Sequence, residues 1–485
     1  MSTRKKLLVV DCAALGWNLA PRVQARLQGR VFQRMPGTFP ALTCPVQAAF
    51  RTGTTAARHG MVANGLYHRD LRRPMFWEQS ADLVQGQRFW QGMRARGLRV
   101  GMMFWQQSLG EAVDLVLSPR PVHKHSGGMI QDCYSQPADL YDRLGARLGR
   151  GFNLMHYWGP LASRRSTDWI VDATRAVMED PALAPDLLLT YLPHLDYDLQ
   201  RHGPDHPKAL AAADALGDHL ATLLETAQRT GYEVLIFGDY AIRACTGPAI
   251  LPNLALRQAG LMQVRTLKGM AYPDFWYGRA FAMVDHEIAH VHTSGEAALQ
   301  SAREVFEALP GVAQVFDWQA QQKAGIDHPR SGDLVLVAEP GRWFAYPWWT
   351  DRKEAPTSPP TSTSTTSPAS TRANCSSAGP RNRQPQHRQG RRNPRHHRAG
   401  RRRGLAVHLR FCVGTANRFG LRGVYPAMVQ HMINPGQAAA ARRHEQRLSV
   451  PFDFPVLFCR DLFAPENQLL LDVSAGASPT GGIAS

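Results

Sequence analysis

Cysteine is scarce in this chain. Seven residues in 485, an odd number without zinc-finger spacing, argue against a disulfide framework and leave a cytoplasmic enzyme as the default expectation. Long apolar runs are missing too. No segment offers the ~20 consecutive apolar residues that cross a bilayer. Arg4-Lys5-Lys6 followed by Leu7 to Val10 has only the outline of a secretory leader, because the run stops at Asp11. No membrane partner is expected. From Arg372 to Arg410 there are twelve Arg and no Lys, Asp or Glu. Basicity without lysine is unusual for a nucleic-acid arm. The formal charge of +17 is concentrated there: residues 351–485 carry 20 Lys and Arg against 7 Asp and Glu, leaving 36 against 32 for residues 1–350. The charge therefore describes the tail, and nucleic acid is not an expected partner of the body.

What is present begins with strands that end on carboxylates. Leu7-Leu8-Val9-Val10-Asp11 fits a buried parallel strand. Pro185 to Leu192 is a second such run and enters a segment with His194, Asp196, Asp198 and His202, expected as a loop; Tyr232 to Phe237 is a third and ends on Gly238-Asp239. In open α/β sheets ligands gather beyond the carboxyl ends of strands. If the three strands are parallel, Asp11, Asp196 and Asp239 converge on one edge. Hard oxygen ligands with interspersed His suit zinc, manganese or magnesium, and composition does not choose among them.

Residues 39–65, FPALTCPVQAAFRTGTTAARHGMVANG, carry the candidate nucleophile. Pro40 and Pro45 place Thr43 on a stiff connection before an expected helix from Val46 to Arg51. Helical N–H groups there favour an anion. A threonine hydroxyl needs a base or a metal to attack. No His is adjacent, whereas carboxylates recur at strand ends, which favours the metal route.

The expected fold is α/β: a central, mostly parallel sheet flanked by helices over residues 1–350, with a small α/β cap at about 245–330. Within the cap, RAFAMVDHEIAHVH reads as one strand, Glu296 to Leu309 as a helix and Gly311 to Phe316 as a strand; Ser331 to Val337 follows as the next strand. Asp285, His286 and His290 form an unassigned His/Asp cluster there. Residues 356–410, rich in Ser, Thr, Pro and Arg, have too few apolar groups to offset chain entropy and are expected to be disordered. Residues 411–485 carry no motif.

The series Val10-Asp11, Phe39-Pro40-x-x-Thr43-x-Pro45, Thr52-Gly53, His59-Gly60-x-x-x-Asn64, Pro185-Asp186-Leu187, Tyr191, Asp196, Gly203-Pro204-Asp205 and the strand ending on Asp239 resembles the nucleotide pyrophosphatase/phosphodiesterase branch of the alkaline phosphatase superfamily. The resemblance covers about residues 5 to 350. It implies an alkaline phosphatase-like fold, two divalent metal ions, usually zinc, and a threonine that is transiently phosphorylated. By that pattern Asp11, Thr43 and Asp239 bind one metal, Asp196 binds the other, and Asn64 contacts a phosphate oxygen. The substrate is then a small phosphorylated molecule of the nucleotide kind, cleaved at a phosphodiester or pyrophosphate bond.

The departures concern imidazoles. Gln200 stands four residues after Asp196 and Tyr240 directly after Asp239, where the family has His. His202, or Asp285, His286 and His290, are candidate substitutes. A third family His, in a Gly-x-His-Gly turn near the C-terminus, is missing. Permitted codons for Ser362 to Ser377 and for Asn382 to Arg398, read out of frame, encode ordinary globular sequence, the second with such a turn. A slipped coding frame is thus one reading of the tail. Two other functions stay open: an impaired relative that binds a phosphorylated ligand or protein partner, and an RNA-associated protein acting through the Arg-rich tail.

Overall fold

A computed structural model describes residues 6–125 and 128–356 and the backbone of 453–458. Its centre is an eight-stranded sheet in the order Phe32–Pro36, Asp453–Phe458, Tyr232–Gly238, Lys6–Cys12, Leu187–Leu192, Val100–Met103, Leu115–Ser118, Tyr134–Gln136. The five strands from Tyr232–Gly238 to Leu115–Ser118 are mutually parallel, and those outside them pair antiparallel. Alternation along each strand serves two cores. Leu8, Val10, Leu188, Val234 and Ile236 join the helices Arg165–Glu179 and Pro207–Thr230 on one face, while Leu7, Val9, Leu187, Leu189 and Phe237 meet Val46 and Phe50 on the other. That double burial explains why the strands read as unbroken apolar runs. Asp11 lies level with Tyr191 and Phe237, so Asp11, Asp196 and Asp239 share one sheet edge.

Three local expectations change. The helix after Pro40 runs Thr43–Thr52, with Leu42 extended before it and Gly53 left-handed at φ 64° after it. Pro45 falls in the first turn, where its missing N–H has no intrahelical partner to lose. Thr43 therefore opens the helix and is not on a connection. His194–His202 is helical and not a loop. The segment RAFAMVDHEIAHVH is a hairpin, Ala280–Asp285 against Ile288–Thr293, turning at His286-Glu287 with His286 at φ 60°. The turn lacks the Asn-Gly or Asp-Gly that marks a two-residue hairpin in sequence.

The hairpin, Leu334–Ala338 and Val312–Phe316 form a second, antiparallel four-stranded sheet backed by the helix Glu296–Glu307. Leu334–Ala338 is thus an inner strand of this sheet. Ile288, Phe316, Val335 and Val337 pack with Cys44, Ala48 and Met61 to Ala63. This contact couples the second sheet to the helix that Thr43 opens. Among the described residues no helix is long and apolar enough to cross a membrane. Beyond Pro356 the expectations for the tail lie outside the described residues, apart from the strand Asp453–Phe458.

Candidate active site

Asp11 is fully buried at the end of its strand. Its Oδ2 accepts a hydrogen bond from Gln47 Nε2 at 2.7 Å, and its Oδ1 has no partner. Gln47 cannot turn its amide over freely, because its Oε1 accepts from the backbone N–H of Gln106 at 2.7 Å. Burial pushes the Asp11 carboxyl up to about 8 despite the Gln47 bond. Gln47 carries no motif signal of its own, but it sits four residues after Thr43 and shares its helix face.

Asp239 follows Gly238, and that glycine is required by space: a Cβ there would stand 2.0 Å from the Leu15 carbonyl oxygen. The close approach lets the loop after the first strand deliver the Ala14 N–H, with Ala14 at φ 57°, to Asp239 Oδ1 at 2.9 Å. The other oxygen, Oδ2, accepts from Thr43 Oγ1 at 3.1 Å. Burial, then repulsion from Asp11, holds the Asp239 carboxyl well above the usual range. Thr43 is itself buried, and its Oγ1 also lies 3.4 Å from Tyr191 Oη. Tyr191, one of the residues of the family series, thus stands at the Thr43 hydroxyl.

Asn64 stands beside the same helix start. Its Oδ1 accepts from the Cys44 N–H at 3.0 Å, and its own N–H donates to Asp285 Oδ2 at 2.7 Å. Asp285 also lies 2.7 Å from His286 Nδ1, and His286 Nε2 is 3.3 Å from Gln200 Nε2. Gln200 reaches both oxygens of Asp196 at 2.9 Å, and Tyr240 Oη donates to Asp196 Oδ1 at 2.8 Å. Asp285 and His286 are therefore linked to Asp196 and Asn64 through hydrogen bonds. Burial raises the Asp196 carboxyl above its ordinary value, against the pull of His286, Tyr240 and Gln200.

Two candidate ligands stand elsewhere. His290 spends both ring nitrogens on backbone, facing the Val62 carbonyl at 3.2 Å and accepting from the Gly332 N–H at 3.1 Å, and burial brings it down to about 4. His202 stacks on His206 at 4.5 Å and lies 3.9 Å from Asp198. In a helix, six residues amount to about 600°, so His202 projects roughly 120° away from Asp196, whereas Gln200 at four residues shares its face. Among the described residues no group of three or more His, Cys, Asp and Glu stands ready to hold a metal. The donor set nearest that role is Asp11 and Asp239 with the Thr43 hydroxyl, all hard oxygens.

The chain matches the type I phosphodiesterase/nucleotide pyrophosphatase family over residues 18–366, most of its length. It belongs to that family. The protein is thus a phosphodiesterase/pyrophosphatase-type hydrolase. No curated protein matches it. Among solved structures, murine ectonucleotide pyrophosphatase/phosphodiesterase 5 is 16% identical over 70% of this chain and 81% of that chain, with a TM-score of 0.49. Phosphonoacetate hydrolase from Sinorhizobium meliloti 1021, in complex with phosphonoformate, is 17% identical over 74% of this chain and 86% of that chain, with a TM-score of 0.48. For a member of the type I phosphodiesterase family, Gln200 and Tyr240 are the notable site residues. Each directs a neutral donor at Asp196.

Proposed function

We propose that this chain hydrolyses phosphodiester or pyrophosphate bonds of small phosphorylated molecules, nucleotides among them, through a covalent phospho-Thr43 intermediate supported by a divalent cation. The observation that carries the reading is the buried Thr43 hydroxyl, at the start of a ten-residue helix, 3.1 Å from Asp239 Oδ2. Its proton is directed at that carboxylate oxygen. As Thr43 Oγ1 forms its bond to phosphorus, the bond to the leaving oxygen breaks and the hydroxyl proton passes toward Asp239. The positive end of the helix dipole at Thr43 favours the anionic group being transferred. Asn64, anchored by Cys44 and Asp285, supplies an amide donor at the same helix end. Water then cleaves the phospho-threonine and regenerates the hydroxyl.

Among the described residues, one place fits a cation. Asp11 Oδ1 is a buried, unpartnered carboxylate oxygen facing a second buried carboxylate, an arrangement short of positive charge. Asp11, Asp239 and Thr43 would hold the ion, zinc, manganese or magnesium. When bound it would lower the pKa of the hydroxyl and neutralise charge on the transferring group. The test is hydrolysis of a chromogenic phosphodiester by the full chain supplied with zinc or manganese. Turnover should fall by at least ~10³-fold in Thr43→Ala, as expected for loss of a nucleophile. Equal rates in the two proteins would overturn the proposal.

A further inference from the structure

We infer that the site takes a single divalent cation, on Asp11, Asp239 and Thr43, and that Tyr240 and Gln200 close the Asp196 half against a second. The inference rests on the hydrolase reading above and deepens it.

The two halves differ in how their carboxylates are satisfied. On the Asp11 side, two buried carboxylates face one another. Four oxygens receive three hydrogen bonds, from Gln47, Ala14 and Thr43, and Asp11 Oδ1 receives none. Once deprotonated on binding, these two carboxylates and a hydroxyl oxygen make a hard donor set that a divalent cation neutralises. On the Asp196 side there is one carboxylate, and both of its oxygens are already engaged. Tyr240 Oη donates at 2.8 Å and Gln200 Nε2 reaches both oxygens at 2.9 Å. A metal approaching those oxygens would compete with both donors.

Gln200 is fixed in that pose from behind. Its amide nitrogen is 3.3 Å from His286 Nε2, whose other ring nitrogen is 2.7 Å from Asp285 Oδ1. The tautomer that satisfies this chain has Nδ1–H donating to Asp285 and Nε2 accepting from Gln200. One amide hydrogen then serves His286 and the other Asp196. Asp285 in turn accepts from the Asn64 N–H at 2.7 Å. Asn64, Asp285, His286, Gln200, Asp196 and Tyr240 therefore form one continuous chain of hydrogen bonds. Turning the Gln200 amide to offer its oxygen to a metal would break two of these bonds at once. A phenol and an amide are also weaker partners for zinc than imidazole.

The experiment counts metal on the folded full chain. Protein equilibrated with zinc and dialysed into metal-free buffer is assayed by inductively coupled plasma mass spectrometry, with isothermal titration calorimetry of the apo protein alongside. Zinc bound outside the site is subtracted using the Asp11→Asn/Asp196→Asn/Asp239→Asn triple variant. The expected count is one per chain, kept in Asp196→Asn, lost in Asp239→Asn, and raised to two in Gln200→His/Tyr240→His. Two equivalents in the unaltered chain would overturn the inference and leave the hydrolase reading standing. None would overturn both. Loss of the ion in Asp196→Asn, with its circular dichroism unchanged, would place the cation in the wrong half and equally overturn it.

Discussion

Replacing Asp11 by Asn should stabilise the metal-free protein at neutral pH while removing its response to metal. The carboxyl is raised from its ordinary 3.8 to about 8 by burial. In the folded state it therefore holds a proton that the unfolded chain releases near pH 4. A raised carboxyl contributes stability that is fully present below the unfolded value and is lost as pH climbs through the folded one. The window is pH 4 to 8, and stability falls across it. Four units at about 1.36 kcal/mol each set a ceiling of roughly 5–6 kcal/mol. Asn keeps the size and still accepts from Gln47, but has no proton to lose. In chelator at pH 7.5, Asp11→Asn should be more stable than the parent by about 2–5 kcal/mol, with the gap closing near pH 4. A cation present at 100 times its dissociation constant should restore about 2.7 kcal/mol to the parent and much less to the variant. Urea unfolding of both proteins, with and without zinc, measures all four quantities. Comparing variant with parent cancels other titrations, such as His194, which burial drives down to about 3. A variant less stable than the parent in chelator at pH 7.5 would refute the reasoning.

Glu111→Ala should cost about 3–5 kcal/mol, because Arg51, fully buried in the helix that Thr43 opens, and Arg88 both point guanidinium groups at Glu111 and would be left unpaired. A loss under 1 kcal/mol in urea unfolding would show that the backbone carbonyls of Gln106 and Gln107 suffice for Arg51. Gly238→Ala should reduce both stability and turnover, since the new methyl would push the loop carrying the Ala14 N–H away from Asp239; a variant with the parent's melting temperature and rate would contradict that placement.

Much of this was legible in the sequence because burial writes itself into composition. Strands covered on both faces are largely apolar, so Asp11 and Asp239 stood out as carboxylates where each run ends. Thr43 was marked by its prolines, though the helix starts earlier than those prolines suggest, since only the first turn tolerates Pro45. Other features depend on contacts that no local pattern encodes. The hairpin at His286-Glu287 folds without turn residues because the second sheet holds it. Gln47 enters the site through packing between a helix and a strand far apart in sequence. His202 looked near Asp196 along the chain and is turned away by the helical period. The second sheet, expected as an inserted cap, sends Asp285 to Asn64 at the helix start.

The most direct test is acid quenching of the full chain during turnover of a phosphodiester, followed by mass spectrometry of the peptide containing Thr43. A phosphoryl group on Thr43, forming within the first turnover and absent from Thr43→Ala, is the predicted result. Turnover that proceeds with no such adduct under rapid quench, or with an adduct on another residue, would contradict the account.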